Sequence, residues 1–406
     1  MDALTADAAK ALAAGNPLAA LKRVALRDDA PALALRGIAM AQLGDYGRAT
    51  ELLRRAARQF GTQQFLARAR CLLAEAEIAL IARDLHRSGQ ALSAARALLA
   101  GHGDRVNAAH AAYLEARRLL LIGHLDAAET MLAQLDASVL ASASRTGFEL
   151  VTAGVAMRRI RAKPARAAID RARRAALATG NPGLLAEVES AAHTLEAPVA
   201  RLFGRGAESM IRLSECEDLF AKGGVVVDAC RRVVHRRTAT VALANRPVLF
   251  KLALALAQAW PDDAARADLL AQAFRARHVD ESHRVRLRVE IGRLRKALAP
   301  IGQIVATPRG FRLMPDDGCS VAVLLPPVAD RHAGVLALLA DGMAWPSSAL
   351  ALALGVGTRT VQRALQELAD TGKIERLGRG RACRWITPSV PGFPTSLLLP
   401  AALIAR

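Results

Sequence analysis

The first 195 residues repeat themselves, and no other feature limits the fold as strongly. "LGDYGRATELLRRA" begins at Leu43, "LHRSGQALSAARALL" at Leu85, "IGHLDAAETMLAQL" at Ile122 and "RAKPARAAIDRARRA" at Arg161. A weaker copy, "AGNPLAALKRV", begins at Ala14. Each copy is a small or polar turn followed by a helix with alanines along one face. The better copies recur roughly every 38–40 residues, within the range of helical-pair repeats. One such pair cannot bury its apolar face alone, so neighbouring pairs must stack and share a core. A stack of this kind offers a concave surface for a protein or an effector.

The core of the stack has to come from Leu, Ala and Val, because apolar residues make up 52% of the chain and aromatics only 3%. That bias favours helix. The formal net charge of +19 points to a polyanionic partner, and nucleic acid is the usual one. Residues 201–406 hold 30 Lys/Arg against 18 Asp/Glu, and residues 1–200 hold 26 against 19. The second half is therefore the better candidate for the polyanion. Scarce aromatics argue against single-strand or RNA binding by base stacking.

Cys71, Cys216, Cys230, Cys319 and Cys383 are far apart, with no CxxC pair. Neither a zinc site nor a disulfide scaffold is expected. The nine histidines form no HExxH or paired metal-ligand spacing. There is no GxSxG elbow and no GxxxxGK[ST] phosphate loop. No enzyme activity, metal or cofactor is expected. Asp2 and Asp7 precede the first Lys, unlike a signal peptide, and no apolar run reaches membrane-spanning length. The chain is expected to be cytoplasmic, with reduced thiols and no membrane partner.

"RGIAMAQLGDYGRATELLRRA" closely resembles the tetratricopeptide repeat, with Gly37 and Ala41 where two helices approach and Gly44-Asp45-Tyr46 as the turn. The later copies are looser and longer than the usual unit, and resemble degenerate repeats of bacterial regulators.

Near Ala197 the pattern changes. "VVVDACRRVVHRRTATVAL", from Val225, has short Val/Thr runs broken by arginine pairs, as short strands do. "RPVLFKLALALAQAW" then returns to helix. Farther on, Leu287, Ile291, Leu294 and Leu298 fall at i, i+4, i+7 and i+11, one apolar stripe. Arg284, Arg286, Arg288, Arg293, Arg295 and Lys296 lie off that stripe, where they can meet phosphate or guanine. This stretch resembles the DNA-binding domain of OmpR/PhoB-type response regulators and of SARP activators: a recognition helix, here "IGRLRKAL", then a short hairpin ending "RGFRL", which places Arg309 at its turn. The valine-rich stretch would be its small N-terminal sheet. Gly292, the short hairpin, Phe311 in place of Tyr, and the outward Val285 and Val289 depart from that family. No receiver domain precedes it, so no two-component partner is implied.

The last unit, "RHAGVLALLADGMAWPSSALALALGVGTRTVQRALQELADTGKIERLGRGRACRWIT", reads as three helices and a hairpin. Ser347 or Ser348 can cap the second helix, Gly355 ends it, and Thr358 caps the third. Val361, Leu365 and Leu368 face the core at i, i+4 and i+7. Thr358, Arg359, Thr360, Gln362, Arg363 and Gln366 are left to read base edges and phosphates, and Arg376, Arg379 and Arg381 form a basic wing. The segment resembles the winged helices of DeoR- or MarR-like bacterial regulators.

The expected fold is mainly α: an N-terminal, tetratricopeptide-like α-solenoid followed by two winged helix-turn-helix domains (α+β). The expected boundaries are 1–198 for the repeats, 199–222 for a connector, 223–315 for the first winged helix, 316–330 for a linker, 331–388 for the second winged helix and 389–406 for a tail. The function read from this is sequence-specific binding of double-stranded DNA in transcription regulation. The repeats would dock a protein, for example RNA polymerase, or an effector, and could support a homodimer. The alternatives are an adaptor whose winged helices contact protein, or a replication initiator with paired winged helices.

Overall fold

The computed structural model describes residues 3–204, 207–274, 281–327, 332–339, 343–378, 380 and 383–387. The described chain is mainly helical, with some sheet. It divides into two compact units. One holds the described parts of 1–159, 163–195 and 334–406; the other holds those of 160–162 and 196–333.

The first unit starts with helices α1 (Ala3–Ala13), α2 (Pro17–Val24), α3 (Ala30–Gln42), α4 (Tyr46–Phe60), α5 (Phe65–Ile81) and α6 (Leu85–Gly101). It continues with α7 (Arg105–Leu121), α8 (Leu125–Gln134), α9 (Ser142–Arg158), α10 (Ala162–Leu177) and α11 (Pro182–Glu196). From α1 to α8 each helix packs chiefly on its neighbours in sequence, and α9 packs on both α7 and α8. The turns follow one recipe. Gly15, Gly44, Gly103, Gly123 and Gly180 take φ between +65° and +85°, a region that costs glycine little. The next residue often caps the following helix: Asn16, Asp45 and Asp104 accept the backbone N–H of Ala19, Arg48 and Asn107. Polar bonds also link one helix to the next but one. Arg70 meets Asp104 at a separation of 34 residues, and Arg158 donates to the Leu120 carbonyl at a separation of 38. Gly37 sits where α3 and α4 approach, since a Cβ there would lie 2.9 Å from Leu53 Cγ.

The second unit holds β1 (Ala200–Gly204), β2 (Ala207–Ile211), α12 (Leu213–Ala221), β3 (Val225–Asp228), β4 (Val233–Arg236) and β5 (Ala239–Ala242). These are followed by α13 (Pro247–Ala259), β6 (Ala264–Ala265), α14 (Arg266–Phe274), α15 (Glu281–Leu298), β7 (Gly302–Ala306), β8 (Gly310–Pro315) and β9 (Val321–Leu325). Six strands form one sheet in the order β2-β1-β9-β3-β4-β5. Within it only β3 and β9 are parallel, with Val225 opposite Val321. Val225, Val227, Val321 and Val323 join the core that includes α13, α14 and α15, while Val226 and Leu324 pack with Ile211 and Cys216. A smaller sheet has the order β6-β8-β7.

Two expectations are corrected here. Residues 199–222, read as a connector, contain β1, β2 and α12; residues 316–330, read as a linker, contain β9 between β1 and β3. A strand buried on both faces is a continuous apolar run without alternation, so "VAVLL" carries no period of its own. The acids before it are also engaged, because Arg236 pairs with Asp316 at 3.0 Å and Asp317 at 2.9 Å.

The first unit closes with α16 (Ala333–Leu339), α17 (Ser347–Leu354), α18 (Thr358–Asp370), β10 (Glu375–Leu377) and β11 (Arg384–Ile386). Val335, Leu339, Leu350, Val361, Leu365 and Leu368 belong to the same continuous core as the helix pairs before them. Trp345 is 1% exposed. Its backbone bonds Trp385 in both directions at 2.8 Å, and the Arg83 guanidinium lies 4.8 Å from its ring centroid. Arg83 itself sits at φ 60° in the α5–α6 turn, a position where most other turns of this unit use glycine.

Gly355 ends α17 in the left-handed region (φ 63°). The caps differ from expectation by one residue. Gly357 is the N-cap of α18 because its carbonyl takes the first helical bonds, from Thr360 and Val361. Pro346 plays that part for α17, and the Ser347 hydroxyl accepts the Trp385 indole N–H instead.

Candidate nucleic-acid interface

Helix α15 turns one face inward: Leu287, Ile291, Leu294 and Leu298 are all buried. Arg284, Arg286, Arg288, Arg293, Arg295 and Lys296 are all exposed. Arg286, Arg293 and Arg295 are among those already engaged. Arg286 stacks 4.7 Å from the Phe274 ring centroid. Arg293 pairs with Glu290 at 2.8 Å. Arg295 Nε donates to the Ile304 carbonyl at 2.8 Å, which ties α15 to the hairpin that follows it.

That hairpin, β7–β8, presents Arg309 exposed at its turn. Arg266, at the start of α14, shapes the turn: its guanidinium donates to the Pro308 and Thr307 carbonyls at 2.7 and 3.0 Å, and its backbone N–H bonds the Arg309 carbonyl. Beside it Asp263 is held below the usual carboxylate range, first by the Thr307 hydroxyl and then by Arg312. Gly310 is required by close approach, since a Cβ there would come within 1.9 Å of the Ala264 carbonyl oxygen. Sequence reasoning missed Arg266, Arg312 and Phe274; all lie outside the periodic helix, and nothing in the local pattern marks them. An open groove of about 470 Å³ runs where Arg246, Pro247, Val248 and Leu249 of the α13 start meet Glu290 and Arg293.

In the first unit, α18 buries Val361, Leu365 and Leu368 and exposes Thr358, Arg359, Thr360, Gln362, Arg363 and Gln366. Gln366 is tied to Asp370. Arg359 and Arg363 make no hydrogen bond or ion pair among the described residues. Arg376 is exposed on β10, opposite Trp385 in register. Arg379 and Arg381 lie outside the described residues.

The helix pairs hold a different kind of polar cluster. His110 bridges Glu77 (3.2 Å) and Ser144 (3.0 Å), and all three are buried. The His110 ring lies 5.4 Å from that of Tyr113, whose hydroxyl burial pushes up to about 12. These groups are enclosed and cross-link α5, α7 and α9, so they serve the packing of the array. Its surface has a groove of about 280 Å³ lined by Arg96, Ala108, Ala112, Met131, Leu135 and neighbouring residues. Among the described residues no helix is long and apolar enough to cross a membrane, and no group of three or more His, Cys, Asp or Glu is placed to hold a metal ion.

No protein-family model, curated protein or solved structure matches the chain.

Proposed function

We propose that this chain is a sequence-specific, double-stranded-DNA-binding transcription regulator. In this reading α15 and α18 are recognition helices, and the hairpins β7–β8 and β10–β11 are their wings. The helix pairs form a solenoid that docks a protein or effector. The observation that carries the reading is α18, where Arg359 and Arg363 stand exposed and, among the described residues, unpartnered, directly behind a buried apolar stripe. Leaving two guanidiniums without any carboxylate partner adds nothing to stability, whereas such a face can read guanine and phosphate in a major groove. The same plan recurs in α15 with an arginine-tipped hairpin behind it, and the net charge of +19 suits a polyanion.

Selection of bound sequences from a random duplex pool tests this. Enrichment of a defined motif, weakened by Arg359→Ala and Arg363→Ala, is the expected result. A pool that stays random after repeated selection would overturn the reading.

A further inference from the structure

The line of α15 farthest from its buried stripe runs through Val285, Val289, Gly292 and Lys296, because residues three and four apart share a helix face. Val285 is 50% exposed and Val289 49%. Two β-branched residues on the water side add little to the core and are mediocre helix formers. Gly292 is harder to explain from inside the protein. A Cβ there would meet nothing within 4 Å, yet glycine is one of the poorest residues for a helix interior. Glycine at such a place makes sense where something outside comes close to the backbone.

Arg286, Arg288 and Arg293 are exposed around this line, and the exposed Lys296 ends it. The outer face is thus an apolar strip with a small gap, framed by positive charge. A DNA major groove has the complementary shape: phosphates along both walls, and thymine methyls as the apolar feature of its floor.

We propose that Val285 and Val289 are specificity-determining residues that pack on thymine C5-methyl groups, with Gly292 letting the helix sit deep in the groove. This deepens the DNA-binding reading and rests on it. Four residues of helix rise about 6 Å, close to two base-pair steps of about 3.4 Å each. The half-site under α15 should therefore carry two thymines about two steps apart.

The test uses the full chain and a duplex obtained by selection, with each thymine replaced in turn by uracil, which removes only the methyl. Affinity read by fluorescence anisotropy should fall roughly 3–10-fold at two positions, and V285A together with V289A should abolish the difference between thymine and uracil. G292A should raise the melting temperature while weakening binding to the selected site. Equal affinity for thymine and uracil duplexes would overturn the proposal and leave DNA binding standing. So would valine variants that weaken both duplexes alike, as expected if the strip docks protein. Loss of binding to every duplex by the unaltered chain would sink the DNA-binding reading as well. The thymine-to-uracil comparison needs no variant, so a folding defect cannot blur it.

Discussion

Helices α15 and α18 have the same cross-section, a buried apolar stripe behind a basic face, but they are supported differently. Around α15 the charges are partly consumed: Arg295 holds the hairpin, Arg293 is paired with Glu290 and Arg286 rests on Phe274. On α18 Arg359 and Arg363 are unengaged among the described residues. The cores differ as well. The α15 core is built with the second unit's own sheets, whereas α18 shares one core with the helix pairs, locked by Trp345. A basic helix can thus be one whose cations also build the protein, or one whose cations are kept in reserve. The second kind should respond more to a ligand and lose less stability when a charge is truncated.

The largest expected effect tests the reserve directly. If the two basic faces together neutralise about 6–10 phosphates, DNA affinity of the intact chain should drop about 10³–10⁵-fold between 50 and 200 mM salt. Arg359→Ala with Arg363→Ala should reduce the salt slope by nearly two charges, and Arg293→Ala with Arg295→Ala by less. Equal reductions would erase the distinction.

Next comes the cores. Trp345→Ala should cost about 3–5 kcal/mol, the range for a buried aromatic truncated to alanine. Hydrogen exchange should show protection lost in both α17–α18 and the helix pairs. Leu294→Ala, at a fully buried site, should cost about 2–5 kcal/mol and loosen only the second unit. Loss confined to α16–α18 in the tryptophan variant would show that the shared core is not cooperative.

Alkali separates the units too. Both tyrosines of the chain, Tyr46 and Tyr113, lie in the first unit. Burial raises Tyr113 from 10.0 to about 12. A raised folded-state value means the stabilisation is complete below pH 10 and is lost as pH rises through 12. That loss should be on the order of 2–3 kcal/mol, visible as late tyrosinate absorbance. Titration of Tyr113 at its ordinary value would contradict the enclosed setting.

The smallest effect concerns the hairpin of the C-terminal segment. Arg376→Ala should weaken all duplexes alike, by a few-fold, whereas Arg359→Ala should cost about 1–3 kcal/mol at one base position. Competition assays on matched and mismatched duplexes distinguish the two.

What could be read from the sequence was local. The stripes from Leu287 to Leu298 and from Val361 to Leu368 are simple helical spacing, and the Gly44-Asp45 turn announces itself through glycine and a capping acid. What escaped was long in range or without a period. β9 is all apolar and lies between proline- and glycine-rich stretches, so it looks like a spacer. Trp345 and Arg83 are distant in sequence, and no local pattern links them. The bridge from Glu77 through His110 to Ser144 needs three helices to be placed first. The engagement of Arg295 depends on a carbonyl in the next element, which no helical wheel displays.

The position of β9 has a consequence for how the protein is made. Everything from β4 to β8, α15 included, is synthesised before the strand that lies beside β3. Until residue 325 has left the ribosome, β1 and β3 must wait with a strand-wide gap between them, each with an open edge able to pair with another chain. Nonlocal parallel pairing is slow to form. The nascent chain therefore passes through a stage at which its basic helix α15 is already made but its sheet is open. A fragment ending at Pro315 would be arrested at that stage, prone to aggregate.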